Sequence, residues 1–135
     1  MSLNIKLITP EKVVFNNIAD ETIVPSITGQ LGILPDHAPM VAALDIGVLR
    51  IKYESKWLVV ILFGGFVEVR NNQVIIVAND IEDTSKIKGE EVNKQLSEAF
   101  IALDLAETAK EKIRASEELK KASARVQAFM YLASN

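Results

Sequence analysis

From Leu3 to about Asn79 apolar and polar residues alternate with period two, and beyond Asp83 the period changes to three and four. In the first stretch Leu49, Ile51 and Tyr53 interleave with Arg50, Lys52 and Glu54, the pattern of a strand with one buried face. Similar short runs, each bounded by turn formers, are NIKLI (4–8), KVVF (12–15), ETIVPS (21–26), MVAAL (40–44), KWLVVIL (56–62), FVEVR (66–70) and QVIIVA (73–78). Together they predict an all-β sandwich or barrel. Asn71-Asn72 predicts a tight hairpin between the last two runs, because asparagine tolerates the positive φ angles such turns require.

After Asp83, Val92, Leu96, Ala99, Phe100, Leu103 and Ala106 form one apolar stripe at helical spacing, and Ile113, Ala122, Val126, Phe129 and Ala133 form a second. Thr84 or Ser85 is a candidate cap for the first helix, and Gly89 is the last glycine of the chain. Without a later glycine or proline, one bent helix competes with a helical hairpin turning near Glu107 to Ala109; the hairpin is the preferred reading. The boundaries expected are therefore 1–83 for a β domain and 84–135 for a helical one.

Length and composition narrow the function. A chain of 135 residues that is 49% apolar can fill a real core, and a net charge of -3 argues against a dedicated nucleic-acid binder. The chain has no cysteine and one histidine, which excludes disulfides, thiolate metal sites and cysteine nucleophiles. The opening MSLNIKL has no basic region followed by an apolar stretch, so neither a signal nor a transit peptide is expected. The most apolar run, Trp57 to Val67, is far shorter than the roughly 20 residues of a membrane helix and is interrupted by Gly64-Gly65, so contact with a membrane is expected only through partners. It reads as buried strands around a turn or bulge.

Charge is uneven along the chain: residues 1–83 hold six lysines and arginines against ten acids, and 84–135 hold nine against eight. The basic excess gathers in the last helix, which carries Lys110, Lys112, Arg114, Lys120, Lys121 and Arg125. These are either a solvated face with local ion pairs or a reach toward an acidic partner.

The stretch GQLGILPDHAPM (29–40) concentrates two glycines, two prolines and His37. A Ser-His-Asp arrangement around His37 and Asp36 lacks a Gly-x-Ser-x-Gly elbow, and neither phosphate-binding glycine motif is present. Pro35 and Pro39 fix two φ angles and bias Leu34 and Ala38 away from helix, while Gly29 allows a turn that other residues resist. A stiff exposed corner follows, and stiffness lowers the entropy lost on docking.

GQLGILPDHAPM, then LDIGVLRI (44–51), FGGFVEVRNNQVIIVAND (63–80) and a two-helix tail closely resemble the epsilon subunits of F-type ATP synthases over essentially the whole chain. MSLNIKLITPEKVVF and SKWLVVILFGGF are most similar to the chloroplast and cyanobacterial branch. The resemblance implies a ten-stranded β-sandwich followed by an antiparallel helical hairpin, in a non-catalytic subunit of the rotating central stalk. It implies contacts with the gamma subunit and the ring of c subunits at Gly29, Gln30, Leu31 and His37. It further implies that the tail can extend along gamma, bringing Lys120, Lys121 and Arg125 to acidic segments of the beta subunits and restraining ATP hydrolysis. The implied location is the chloroplast thylakoid membrane, on the stromal side, or its cyanobacterial equivalent on the cytoplasmic side.

Some bacterial members bind ATP in the hairpin through Ile/Leu-Asp-x-x-Arg-Ala. In this chain IKGEEV (87–92) puts Lys88 at the acid and Glu91 at the arginine, and LDLAET (103–108) puts Glu107 at the arginine, so no cofactor is expected. The rival reading from the residues alone is a free-standing β-sandwich adaptor with a helical protein-binding tail.

Overall fold

The computed structural model describes residues 2–134; the expected domain limits at Met1 and Asn135 lie outside the described residues. Eight strands precede two helices: β1 (Leu3–Ile8), β2 (Val13–Ala19), β3 (Glu21–Ser26), β4 (Gly29–Ile33), β5 (Met40–Tyr53), β6 (Lys56–Arg70), β7 (Gln73–Ala78), β8 (Ile81–Asp83), α1 (Gly89–Leu105) and α2 (Ala109–Ala133). One hydrogen-bonded path runs β2-β1-β7-β6-β5-β3-β4, and β8 pairs with β6.

The path is continuous, yet it makes two layers because β5 and β6 belong to both. Residues 40–44 of β5 and 65–70 of β6 lie with β7, β1 and β2, whereas residues 50–52 of β5 pair with β3, which also reaches Leu44 at the bend through Ser26, and residues 60–62 of β6 pair with β8. The change falls at Asp45 and Gly64, which lie between the pairs Leu44–Gly65 and Ile46–Phe63. Each leaf then contains five strand segments, which is how eight strands build the ten-segment sandwich expected.

The fold-over is visible where β2 meets β5, although β1, β7 and β6 separate them along the ladder. Asn17 Nδ2 donates to Tyr53 Oη at 2.9 Å, and the Phe15 and Tyr53 rings meet edge to face at 5.4 Å. Between the leaves lies the main core, in which Leu3, Ile5, Leu7, Val24, Ile33, Leu49, Ile51, Leu62, Val67, Val69, Val74 and Ile76 are all buried.

The hairpins obey their turn chemistry. Asn71 and Asn72 adopt φ of 50° and 61°, and Glu54 and Ser55 adopt 50° and 67°, so β6–β7 and β5–β6 are joined by turns with positive φ at both central residues. The Asn71-Asn72 hairpin matches the sequence expectation; the Glu54-Ser55 turn is formed by residues with weaker intrinsic preference for that region.

The tail is a hairpin, broken at Ala106–Thr108 between its helices. Thr108 Oγ1 accepts from Glu111 N at 3.1 Å, and Glu111 Oε2 accepts from Glu107 N at 3.0 Å, so a Thr-x-x-Glu signature satisfies two otherwise orphan donors at the start of α2. The expected cap at Thr84 or Ser85 does not form. Helix α1 starts five residues later with Lys88 as its cap residue, whose side chain makes no capping bond. Thr84 is instead buried and donates to Val59 O at 2.7 Å, tying the start of the tail to β6.

Helix α2 also buries more than the expected stripe. Ala124 and Ala128 pack on the outer face of one leaf with Val48, Val59, Ile61 and Phe63, while Ile113 of the expected α2 stripe and Phe100 of the α1 stripe are exposed at 63% and 54%. The alanines belong here because they let the helix backbone approach the sheet closely.

Candidate functional site

Three surfaces are candidates. The first is the edge strand β4 with the corner that follows it. Gly29 opens the strand at φ 127°, and a β-carbon there would meet open space, so backbone conformation rather than crowding calls for glycine. Gln30 is exposed and its Nε2 donates to Tyr131 Oη at 3.1 Å, while Leu31 is half-buried against the main core. The first part of the expected corner is thus a strand.

The corner proper runs from Leu34 to Pro39 and carries the chain from β4 in one leaf to β5 in the other. Asp36 takes φ 67°, and its N–H donates to Asn72 Oδ1 at 2.6 Å, which pins the corner to the β6–β7 hairpin. His37 N donates to Leu34 O at 3.1 Å, and its Nδ1 lies 2.7 Å from Ala38 O. Asp36 therefore faces Asn72 rather than the imidazole, which is held by a backbone carbonyl, so the two neighbours do not form the Asp-His pair of a Ser-His-Asp arrangement.

The strand's five residues span about 13 Å, and His37 lies beyond its far end. The fold brings Gly29, Gln30 and Leu31 together on one edge and sets His37 apart from them.

The second surface is the tail's polar seam. Arg125 Nε and Nη2 donate to the two carboxylate oxygens of Glu82 at 2.7 and 2.8 Å, a bidentate pair between α2 and β8. Those bonds hold the Arg125 guanidinium above its ordinary range. Lys120 Nζ lies 3.2 Å from Asp45 Oδ2, at the bend of the sheet. Lys121 pairs with Glu118 at 3.5 Å and sits over the Phe63 ring at 5.0 Å. All three basic residues singled out from the sequence are thus engaged within the chain, two of them with acids of the sandwich.

Asp83 closes the sandwich. The Ser85 N–H at 3.0 Å and hydroxyl at 2.9 Å hold its carboxyl below the usual range, a contribution present above the ordinary carboxylate pKa and lost as pH falls through the lowered one. Arg125→Ala is expected to weaken tail docking by roughly 1 kcal/mol, since the pair is bidentate yet part-exposed. A faster tryptic cut at Lys120 or Lys121 in the full chain would report it, and an unchanged rate would deny the pair that role.

The third surface was not singled out from the sequence. On the leaf away from the tail, outward-facing Ala43, Phe66 and Val77 are cross-strand neighbours, as are Val41, Glu68 and Ile75. Val41, Phe66 and Ile75 are exposed at 71%, 45% and 39%. Its signal was present: MVAAL and QVIIVA are apolar at both parities, where a strand with one solvated face alternates. Among the described residues no group of three histidine or acidic side chains could hold a metal ion, and no helix is long and apolar enough to cross a membrane.

Comparison with known proteins agrees over both halves. The family profile of the ATP synthase, Delta/Epsilon chain, beta-sandwich domain matches residues 2–84. The chloroplastic ATP synthase epsilon chain of Porphyra purpurea is 48% identical over 128 residues, covering 95% of this chain and 96% of the relative. That of Phaeodactylum tricornutum is 42% identical over 132 residues, covering 98% and 99%. Among solved structures, a chain of the Euglena gracilis mitochondrial ATP synthase superposes with a TM-score of 0.83 at 20% identity, covering 96% of this chain and 81% of that one. A chain of the Tetrahymena thermophila mitochondrial ATP synthase central stalk and c-ring superposes at 0.64 with 17% identity, covering 100% and 98%. These two likenesses establish the fold.

Proposed function

The chain belongs to the ATP synthase delta/epsilon family, and from that premise we propose that it works as the epsilon subunit of a plastid-type ATP synthase. It is a rotor subunit without an active site, which couples turning of the c-ring to ATP synthesis and restrains hydrolysis. The observation that carries this reading is identity of 42–48% to chloroplastic epsilon chains across both the sandwich and the tail.

Each surface then has a partner. The apolar outer face around Val41, Phe66 and Ile75 docks on gamma, a reading supported by its exposure and by the tail's lying on the other leaf. The edge at Gly29, Gln30 and Leu31 meets the polar loops of the c-ring, with His37 near the junction of ring and gamma. Lys120, Lys121 and Arg125 meet acidic segments of the beta subunits once the tail has left the sandwich. The working place is the thylakoid membrane, on the stromal side, with membrane contact made through the complex.

Phe66→Arg puts a charge on the proposed gamma face without touching the core between the leaves. The variant is expected to fold like the parent by circular dichroism and to lose at least about tenfold in affinity for a gamma-containing catalytic core. Equal binding by parent and variant would move the gamma contact elsewhere, and failure of the parent to co-purify with such a core would favour a free-standing adaptor.

A further inference from the structure

The tail ends on the foot. Near the C-terminal end of α2 the Tyr131 ring lies 3.9 Å from the Arg50 guanidinium, which itself lies 5.3 Å from the Trp57 ring. From that stack the Tyr131 hydroxyl reaches across the outer face of the leaf and accepts from Gln30 Nε2 at 3.1 Å. Gln30 stands on the exposed edge strand between Gly29 and Leu31, and the glycines at 29 and 32 have open space where side chains would stand. One hydrogen bond, spanning 101 residues of sequence, thus joins the edge of the sandwich to the last turns of the regulatory helix.

We propose that this bond couples the two ends of the subunit: a ring loop seated on the β4 edge competes with the last turn of α2 for Gln30 and loosens the docked tail. The inference rests on the reading that Gly29 to Leu31 meet the ring. The Gln30 side-chain amide is a single rigid plane, so a partner that fixes its orientation withdraws or misdirects the N–H on which Tyr131 depends. The open space at Gly29 and Gly32 leaves the edge beside Gln30 free to take such a loop. The coupling is reciprocal: as ring contact weakens tail docking, a docked tail weakens ring contact by the same factor. Its size is that of one hydrogen bond between exposed groups, about threefold and at most about tenfold. It shifts the balance of a tail otherwise held by apolar packing and two ion pairs by that factor and no more, while Arg50 keeps its grip on the aromatic ring in either case.

Two measurements on the full-length chain test this. In the free chain, trypsin cleavage at Lys120, Lys121 and Arg125 reports release of the tail. Tyr131→Phe, which keeps the stacked ring, and Gln30→Ala should each speed cleavage about threefold, and the double variant should be no faster than either alone. Additive or absent effects would overturn the bond as a tail contact.

In the enzyme assembled with its stalk and ring, Thr28→Cys serves as a neighbouring probe for disulfide formation with a cysteine in the ring's polar loop. Adding Tyr131→Phe should raise the crosslinking rate about threefold, and the gain should vanish when Gln30 is alanine. Crosslinking at one rate in every background leaves the foot where it was placed and overturns the coupling. No crosslinking in any background overturns the placement of the foot and coupling to the ring with it, while the tryptic arm still decides whether Gln30 holds the tail.

Discussion

Gly65→Ala is expected to keep the sandwich from closing, with a loss of about 3 kcal/mol or more in folding stability. Gly65 sits where β6 crosses from one leaf to the other and adopts φ 139°, which L residues rarely take. An added β-carbon would overlap the Val77 carbonyl oxygen and stand 2.9 Å from Ala78 Cα, both backbone atoms of the paired strand β7. Neither can yield without breaking the Gly65–Ala78 and Phe66–Val77 pairing. Gly64→Ala is the control. Its φ of 83° is also costly, but the new β-carbon would meet the flexible Asn79 side-chain amide at 2.9 Å, so a loss nearer 1 to 2 kcal/mol is expected. Urea unfolding of both variants measures the difference, and equal midpoints would show that the crowding against β7 is relieved by a shift of the sheet.

The bend at Gly64-Gly65 also shows what the sequence could and could not disclose. Two glycines inside the most apolar run mark a break, but a break inside a strand and a turn between two strands look alike in a one-dimensional pattern. The continuous run Trp57 to Phe63 has a plain cause in the fold: Val60 and Leu62 face the main core while Val59, Ile61 and Phe63 face α2, so both faces need apolar residues.

The helical character of the tail was legible from period, which left one bent helix open beside the preferred hairpin; the structure has the hairpin, with its turn close to Glu107–Ala109. The contacts of α2 were not, because Ala124 and Ala128 are too small to stand out in a stripe dominated by Val126 and Phe129. At the candidate site, Pro35, Pro39 and Gly29 announced a stiff corner. That β4 is a strand followed from pairing with β3, and that Gln30 meets Tyr131 followed from the docking of the tail. Such nonlocal contacts leave no trace in local spacing.

The opposite charges of the tail seam lead to the sharpest expectation for regulation. Removing the tail after Thr84, which retains the buried hydroxyl bond to Val59, should leave a sandwich that assembles but has lost most of its restraint on ATP hydrolysis. The fragment uncovers Val48, Val59, Ile61 and Phe63, so it should also be less stable than the full chain.

Point substitutions say more, because Lys120 and Arg125 serve two states in the proposed function: they hold the docked tail through Asp45 and Glu82, and they hold the extended tail on the beta subunits. Alanine at Lys120, Lys121 and Arg125 removes two pairs to the sandwich from the docked state but three proposed contacts to beta from the extended one, so the balance moves against the extended tail and inhibition should fall. Asp45→Asn with Glu82→Gln weakens only the docked state, leaving every basic residue free for its partner. Two part-exposed pairs together contribute about 1 to 2 kcal/mol, which shifts the balance toward the extended tail by about fivefold to thirtyfold. The acid-side double variant should therefore inhibit hydrolysis more strongly than the parent, and the base-side triple variant less strongly. Raised salt should blunt both differences, since exposed pairs are screened. The measurement is the ATPase rate of a reconstituted catalytic core with each chain. If both sets shift inhibition in the same direction, the seam only stabilises the fold and the tail does not exchange one set of acids for another.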